Sequence, residues 1–258
     1  MTDAECVAFL QWALPRLRLR WAGFRKVRRQ VCRRISRRQA ELGLDGVGAY
    51  RARLEADPAE WAVLERLCRI TISRFWRDRG LFEALRDEVL PALGPGVVAW
   101  SAGCASGEEP YSLVLAAGEA GVGLRVLATD VDPVLLERAR RARYPESSLR
   151  ELPPELRRRA FDGDQLKPEY RARVEFGLHD LRAGSPDEAF DLVLCRNVVF
   201  TYFDEELQRE VGGRLAASLR PGGALVVGAH ETLPDELDRL EPWSALNGVY
   251  RRALSSRT

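Results

Sequence analysis

The segment Gly103-Cys104-Ala105-Ser106-Gly107-Glu108-Glu109-Pro110 joins a short apolar run, Val97 to Ser101, to a helix-forming stretch, Pro110 to Glu119. A strand that feeds a glycine-containing turn and then a helix brings backbone close to a ligand. The spacing is not the GxGxxG of dinucleotide sites, and the loop ends in two carboxylates, Glu108 and Glu109. A pyrophosphate would be repelled there, whereas an ammonium or sulfonium would be attracted, so the loop points to a cationic cofactor. The plainer alternative is an ordinary turn. Asp130 closes a second apolar run, Leu124 to Asp130, where a carboxylate can accept from both hydroxyls of a ribose. Its alternative is the N-cap of the next helix, a role Asp132 could fill instead. Cys195-Arg196-Asn197 follows a third run, Asp191 to Cys195, and Tyr202 lies just beyond, with core packing as its alternative.

These groups need a frame. After Pro95-Gly96 the chain alternates strand and helix: Val97–Ser101, Pro110–Glu119, Leu124–Asp130, Pro133–Arg143, Asp191–Cys195, Glu205–Leu219 and, after the turn Pro221-Gly222-Gly223, Ala224–Gly228. Short connections in that order predict an α/β fold with a parallel sheet and helices on both faces, whose carboxyl edge gathers the ligand groups. Residues 5–90 read as helices only. Phe9, Leu10, Ala13, Leu14 and Leu17 recur at helical spacing, as do Phe24, Val27, Val31 and Ile35. The latter helix carries Arg25, Lys26, Arg28, Arg29, Arg33, Arg34, Arg37 and Arg38 on its other faces, and Gly43 is its expected C′ residue. Helices over Val47–Glu55 and Trp61–Arg69 complete this half. The expected domains are therefore 1–90 and 91–258, with a polar insertion at about 145–178 beside the sheet that holds a possible short β segment at Tyr170 to Phe176.

Composition removes several classes. With 258 residues, 46% hydrophobic, 30% charged and a net charge of +2, the chain has the make-up of an ordinary globular protein with no overall attraction to nucleic acid or membrane. Five cysteines without a CxxC pair, and two histidines, offer no metal set; the cysteines are expected to be reduced thiols. Asp3 and Glu5 stand where a secretory leader carries positive charge, and no apolar run reaches a membrane span, so a cytoplasmic protein without membrane insertion is expected.

Taken together, the motifs resemble the CheR-type family, the chemoreceptor glutamate methyltransferases. Residues Trp100 to Ser112 are similar to that family's cofactor loop, and Ala128-Thr129-Asp130-Val131-Asp132 to its ribose motif. Cys195-Arg196-Asn197-Val198, Tyr202-Phe203-Asp204, Pro221-Gly222-Gly223 and His230-Glu231-Thr232-Leu233 continue the series. Arg33-Arg34-Ile35, Tyr50 and Phe75-Trp76-Arg77-Asp78 carry it into the helical half, so it covers residues 20–235. The resemblance implies a Rossmann-like class I methyltransferase sheet with an N-terminal all-helical domain, using S-adenosyl-L-methionine and releasing S-adenosyl-L-homocysteine. It implies that Arg77 lies near the transferring methyl group with Tyr202 close by, and that Glu108 or Glu109 holds the methionine end. It places Asp130 on the ribose, Asp180-Leu181 beside the adenine, and Thr71, Ser73, Gly103, Arg196 and Asn197 around the pocket. Three positions depart from the family: Thr71-Ile72-Ser73 stands for Asn-x-Thr, Asp180 for Asn, and the stretch from Asn197 to Tyr202 is one residue longer.

The activity so implied is glutamate methyl-ester formation on a chemoreceptor-like protein; a non-catalytic scaffold or sensor that binds the same cofactor is the alternative. A glutamate has an ordinary pKa of about 4.3, so it needs no general base, and Arg77 and Tyr202 are expected to position it. The Arg25–Arg38 helix is expected to dock the acidic helical methylation region of the receptor rather than nucleic acid, because aromatics are not interleaved with its basic residues; its plainer alternative is a solvated arginine-rich face. The stretch from Phe161 to Phe176 is too short for the β subdomain with which some family members hold a receptor's terminal peptide, so no such tether is expected.

Overall fold

Thr2 opens the first helix, α1 (Asp3–Ala13): its hydroxyl accepts from the Glu5 amide while the Glu5 carboxylate accepts from the Thr2 amide, satisfying two otherwise orphan donors at once. In the computed structural model, which describes residues 1–237, 239–243 and 246–254, the chain forms two units. The first is Met1–Thr71 with Thr201–Leu207. After α1 it holds α2 (Trp21–Phe24), α3 (Arg28–Glu41), α4 (Gly46–Ala56) and α5 (Pro58–Cys68). The expected second helix is thus broken: Phe24 ends α2 and the Arg-rich stretch begins anew at Arg28. Gly43 takes φ 65° just past α3, the left-handed stop a C′ glycine provides. Phe9, Leu10, Val31, Ile35, Tyr50, Leu54 and Leu64 form the buried interior. One charge sits among them: Glu60, 2% exposed, accepts from Arg38 at 3.0 and 2.8 Å and from the Tyr50 hydroxyl at 2.9 Å. That pairing holds its carboxyl below the usual range, the Arg38 hydrogen bond being the largest cause.

The expectation of five reduced thiols is corrected here. Cys6 of α1 and Cys32 of α3 form a disulfide, whereas Cys68, Cys104 and Cys195 are buried free thiols. The two partners are 26 residues apart in sequence and meet only because α1 and α3 are neighbours, which no spacing motif announces. The return segment Thr201–Leu207 joins this unit through a Leu19–Phe203 bridge and an Arg20 amide donating to the Tyr202 carbonyl at 2.8 Å. A side chain at Gly23 would run into the Thr201 carbonyl, so only glycine fits there.

The second unit is Ile72–Phe200 with Gln208–Thr258. It begins with α6 (Arg79–Ala84), a wider turn (Leu85–Val89) and α7 (Leu90–Leu93), then β1 (Gly96–Ala102), α8 (Glu108–Ala120), β2 (Gly123–Asp130) and α9 (Pro133–Arg141). Next come α10 (Glu146–Leu149), α11 (Pro154–Ala160), β3 (Phe161–Asp162), β4 (Gln165–Leu166), α12 (Pro168–Arg171) and β5 (Val174–Leu178). The chain ends through β6 (Phe190–Leu194), α13 (Val199–Tyr202), α14 (Glu205–Ser218), β7 (Leu219–Val226), β8 (Leu240–Pro242) and β9 (Val249–Arg252). The sheet has seven strands in the order β5-β2-β1-β6-β7-β9-β8; β5 to β7 run parallel and the last two antiparallel. This mostly parallel α/β sheet is the expected fold class.

Three boundaries differ from expectation. The break falls at Thr71–Ile72, not after residue 90, because Phe82, Leu85, Val89 and Leu90 are buried in the sheet's core. The insertion stops before residue 174, since β5 is an edge strand of the main sheet, pairing Val174–Leu178 with Val126–Asp130. The Pro221–Gly223 turn lies inside β7, where pairing to β6 shifts between Phe190 and Leu192; a Cβ on Gly223 would stand 2.9 Å from two carbonyl oxygens, which suits glycine at a bulge. What remains of the insertion is short helices and one hairpin of two residues per strand.

Candidate functional site

The register of β1 sets Ser101 beside Ala128 of β2 and Leu194 of β6, so the loops after these three strands open at one level. After β1, the Gly103 and Cys104 amides both donate to the Thr129 carbonyl, at 2.8 and 2.9 Å, turning the chain back over β2. Gly103 takes φ 84° and Gly107 φ 90°. A Cβ on Gly103 would stand 2.9 Å from Val198, and one on Gly107 would stand 2.9 Å from both Ala139 and the Tyr144 hydroxyl. Both glycines are therefore demanded by conformation and by crowding. Asp130 ties the loop to its own strand: one carboxylate oxygen accepts from the Ala105 amide at 2.9 Å, the other from the Asp132 amide at 3.0 Å. Asp132, not Asp130, caps α9 through the Val134 and Leu135 amides. The N-cap alternative for Asp130 is thereby removed.

The two loop carboxylates do different work. Glu108 is 1% exposed and accepts from Ser106 at 2.7 Å and Ser148 at 3.2 Å, with Arg138 at 3.5 Å. It braces the loop against α10. Glu109 accepts from Ser101 at 2.8 Å and from Arg196 at 3.1 Å, and its side chain keeps 14% exposure. Of the pair, Glu109 is the one that can meet a ligand. Arg196 is locked: its side chain, 2% exposed, donates to Glu109, to Asp78 at 2.6 Å and to the Arg77 carbonyl at 3.1 Å.

Arg77 itself contrasts with that. It donates to the Ile72 carbonyl at 3.0 Å and to the Asn197 side-chain oxygen at 3.3 Å, and pairs with no carboxylate among the described residues. Its neighbours Trp76 and Asp78 take φ 58° and 64°, and Asn197 takes φ 56°. Left-handed backbone is costly for residues with a Cβ, most of all for a tryptophan, and here it turns the Arg77 and Asn197 side chains to each other. The Trp76 amide is held by the Ser112 hydroxyl at 2.9 Å. Gly103, Glu108, Glu109, Asp130, Arg77, Arg196 and Asn197 thus form one connected rim. Ser73 lies in the same unit. Asp180 accepts from the Arg182 amide at 2.9 Å, Leu181 is 7% exposed, and the His179 amide beside them donates to the Asp130 carbonyl at 3.0 Å. Thr71 and Tyr202 belong to the helical unit, where Tyr202 lies against Phe24 with ring centroids 5.0 Å apart. Burial pushes the Cys104 and Cys195 thiols well up, and nearby carboxylates add to the effect, so neither supplies a thiolate nucleophile.

Sequence reasoning did not assign Ser101, Asp78, Ser148 or Glu231 to this network. Asp78 and Glu231 stood within quoted motifs without a role. Nothing local marked Ser148, which reaches Glu108 from 40 positions away.

A parallel α/β sheet with an acidic, glycine-turned rim at its carboxyl edge defines an S-adenosylmethionine-dependent methyltransferase, and the donor set suits that cationic cofactor. Residues 71–248 match the family model described as CheR methyltransferase, SAM binding domain. The chain belongs to the CheR methyltransferase family. It is 39% identical over 183 residues to a chemotaxis protein methyltransferase of Listeria innocua, covering 67% of this chain and 69% of that one. It is 32% identical over 244 residues to chemotaxis protein methyltransferase 1 of Pseudomonas aeruginosa, covering 86% and 89%, and 33% identical over 220 residues to that of Klebsiella aerogenes, covering 79% and 75%.

Proposed function

We propose that this methyltransferase forms glutamate methyl esters on a chemoreceptor-like protein. The observation that carries the reading is Arg77, a guanidinium without a carboxylate among the described residues, in a rim whose other arginine, Arg196, is ion-paired to Asp78 and Glu109. A buried or half-buried cation with spare donors suits an anionic acceptor. When bound, the cofactor supplies an electrophilic methyl group on sulfur. Glu109 would hold its amino group, Asp130 its ribose hydroxyls, and the Gly103 turn would leave room for it, with Asp180, Leu181 and Ser73 around it as the resemblance implies. The chain need not remove a proton, because the acceptor carboxylate is already ionised. Its task is orientation and exclusion of water. Arg77 is the orienting group, held in turn by Asn197 and the Ile72 carbonyl. For Tyr202 the support is the resemblance alone.

Docking falls to α3. Arg29, Arg33 and Arg37 recur at every fourth position of α3, and Arg25 stands just before the helix begins; all four are exposed. None forms an ion pair among the described residues, whereas Arg28 pairs with Asp3 and Arg38 with Glu60. A stripe of uncompensated arginines on one helix face matches an acidic helix. On the sheet unit, by contrast, Arg141, Arg143, Arg157 and Arg159 are each paired with a nearby carboxylate. A peptide tether through β3 and β4 is not proposed, since that hairpin has two residues per strand. The proposed working place is the cytoplasm; none of the described helices is long and apolar enough to cross a membrane.

The test is transfer of label from S-adenosylmethionine to a receptor-bearing membrane fraction, followed by mass-spectrometric mapping of the modified residues. Methyl esters on glutamates of an acidic helical region are expected. Label confined to amines, or to small molecules, would refute the reading.

A further inference from the structure

Glu231 sits where the rim is made. It is 9% exposed, and one of its carboxylate oxygens accepts from two backbone amides: Asn197 at 2.8 Å and Gly228 at 2.6 Å. These amides come from different places, the loop after β6 and the end of β7. The Glu231 amide donates back to the Gly228 carbonyl at 2.9 Å, closing a tight turn around the carboxylate. Asn197 is the residue held in left-handed backbone at φ 56°, and its side-chain oxygen meets Arg77 at 3.3 Å. Charge-assisted bonds to backbone amides are about twice as strong as neutral ones, which suits them to hold a left-handed backbone that a residue with a Cβ seldom adopts.

We infer that Glu231 is a positioning residue for methyl transfer: its shared oxygen fixes the strained Asn197 backbone, and Asn197 in turn aims Arg77. The inference rests on the proposed orienting role of Arg77, and it makes a distinct structural claim. The geometry also explains Gly228. A Cβ there would stand 2.9 Å from the Glu231 carboxylate and 3.1 Å from the Asn197 side-chain oxygen, so even alanine would push the two apart. A glutamine at 231 keeps one oxygen able to accept from both amides, whereas alanine leaves both amides without that acceptor.

The experiment compares Glu231→Gln, Glu231→Ala and Gly228→Ala in the full chain, with two readouts. Amide exchange of Asn197 and Gly228 needs neither cofactor nor acceptor. Both amides are expected to lose protection in Glu231→Ala and keep it in Glu231→Gln. Methyl-transfer rate at saturating cofactor is expected to fall by about 10- to 100-fold in Glu231→Ala and Gly228→Ala, and to stay within about threefold of wild type in Glu231→Gln. In the Arg77→Ala background, Glu231→Ala is expected to cost little more, because both changes remove the same aim. Three results would each overturn the inference: unchanged exchange in Glu231→Ala, equal loss in Glu231→Gln and Glu231→Ala, or fully additive losses with Arg77→Ala. Should Glu231→Ala not fold, Gly228→Ala, which keeps the carboxylate, decides by the same rate and exchange criteria. Exchange effects as expected beside a wild type that transfers no methyl group would refute the proposed function and leave the Glu231 clamp standing.

Discussion

The rim of the sheet and the exposed face of α3 are both rich in charge, and they treat it in opposite ways. At the rim nearly every charge is matched inside the protein: Arg196 lies between Asp78 and Glu109, and Glu108 takes two hydroxyls with Arg138 nearby. On α3, Arg29, Arg33 and Arg37 stand exposed without an ion pair among the described residues. Burial explains the contrast. A charge removed from water must be paired, because an uncompensated one costs several kcal/mol, whereas an exposed arginine is solvated and can wait for a partner. Arg77 is the informative exception, half-buried at the rim and lacking a carboxylate. On the proposed function, unmatched charge marks where an acidic substrate would belong, once for docking and once for chemistry.

Several substitutions would break or sharpen that contrast. The largest effect is expected at the ion-paired end. Arg196→Ala strips Asp78 and Glu109 of their shared cation and should lower stability by about 3 kcal/mol, read as a fall in denaturation midpoint; a loss under about 1 kcal/mol would mean that the network is not structural. Next comes Arg77→Ala, expected to slow methyl transfer by about 100-fold, or about 2.7 kcal/mol, with the protein still folded by circular dichroism. Full activity with normal cofactor affinity would remove Arg77 from the mechanism. Reversing Arg25, Arg29, Arg33 and Arg37 to glutamate should raise the acceptor-protein KM by about tenfold at low salt, and the effect should shrink as salt screens the surface. An unchanged KM would return α3 to a merely solvated face. Smallest of all, Arg141→Ala and Arg143→Ala, whose partners are Glu137 and Asp164 on the surface, should alter stability by less than about 1 kcal/mol and leave KM as it was.

The legible parts of the molecule were those whose signal is local. The β1 loop and α8 could be read because Gly103 and Gly107 interrupt an apolar run at the point where the backbone must take positive φ. Asp130 was readable at the end of β2 for the same reason, with Asp132 next to it to cap α9. Strand β5 was legible only in part, as a possible short β segment over Tyr170–Phe176, and β9 was not legible. Each lies toward an edge and is short: Val-Glu-Phe-Gly-Leu alternates over only five residues beside a polar insertion, and Val-Tyr-Arg-Arg has neither an apolar run nor an alternation. The Cys6–Cys32 bond depends on α1 lying beside α3, and Glu231 on two backbone amides that only the folded sheet brings together. Long-range pairing left no mark in spacing, and backbone donors left none in residue type.

The central claim is that Arg77 aims a carboxylate, and its most direct test is the chemical stability and residue dependence of the label. Wild-type protein, labelled S-adenosylmethionine and an acidic receptor fragment should give label that mild base releases as methanol. The label should vanish when the acceptor glutamates are replaced by glutamine, and fall by about 100-fold with Arg77→Ala. Base-stable label, or equal labelling by the Arg77→Ala protein, would contradict the account.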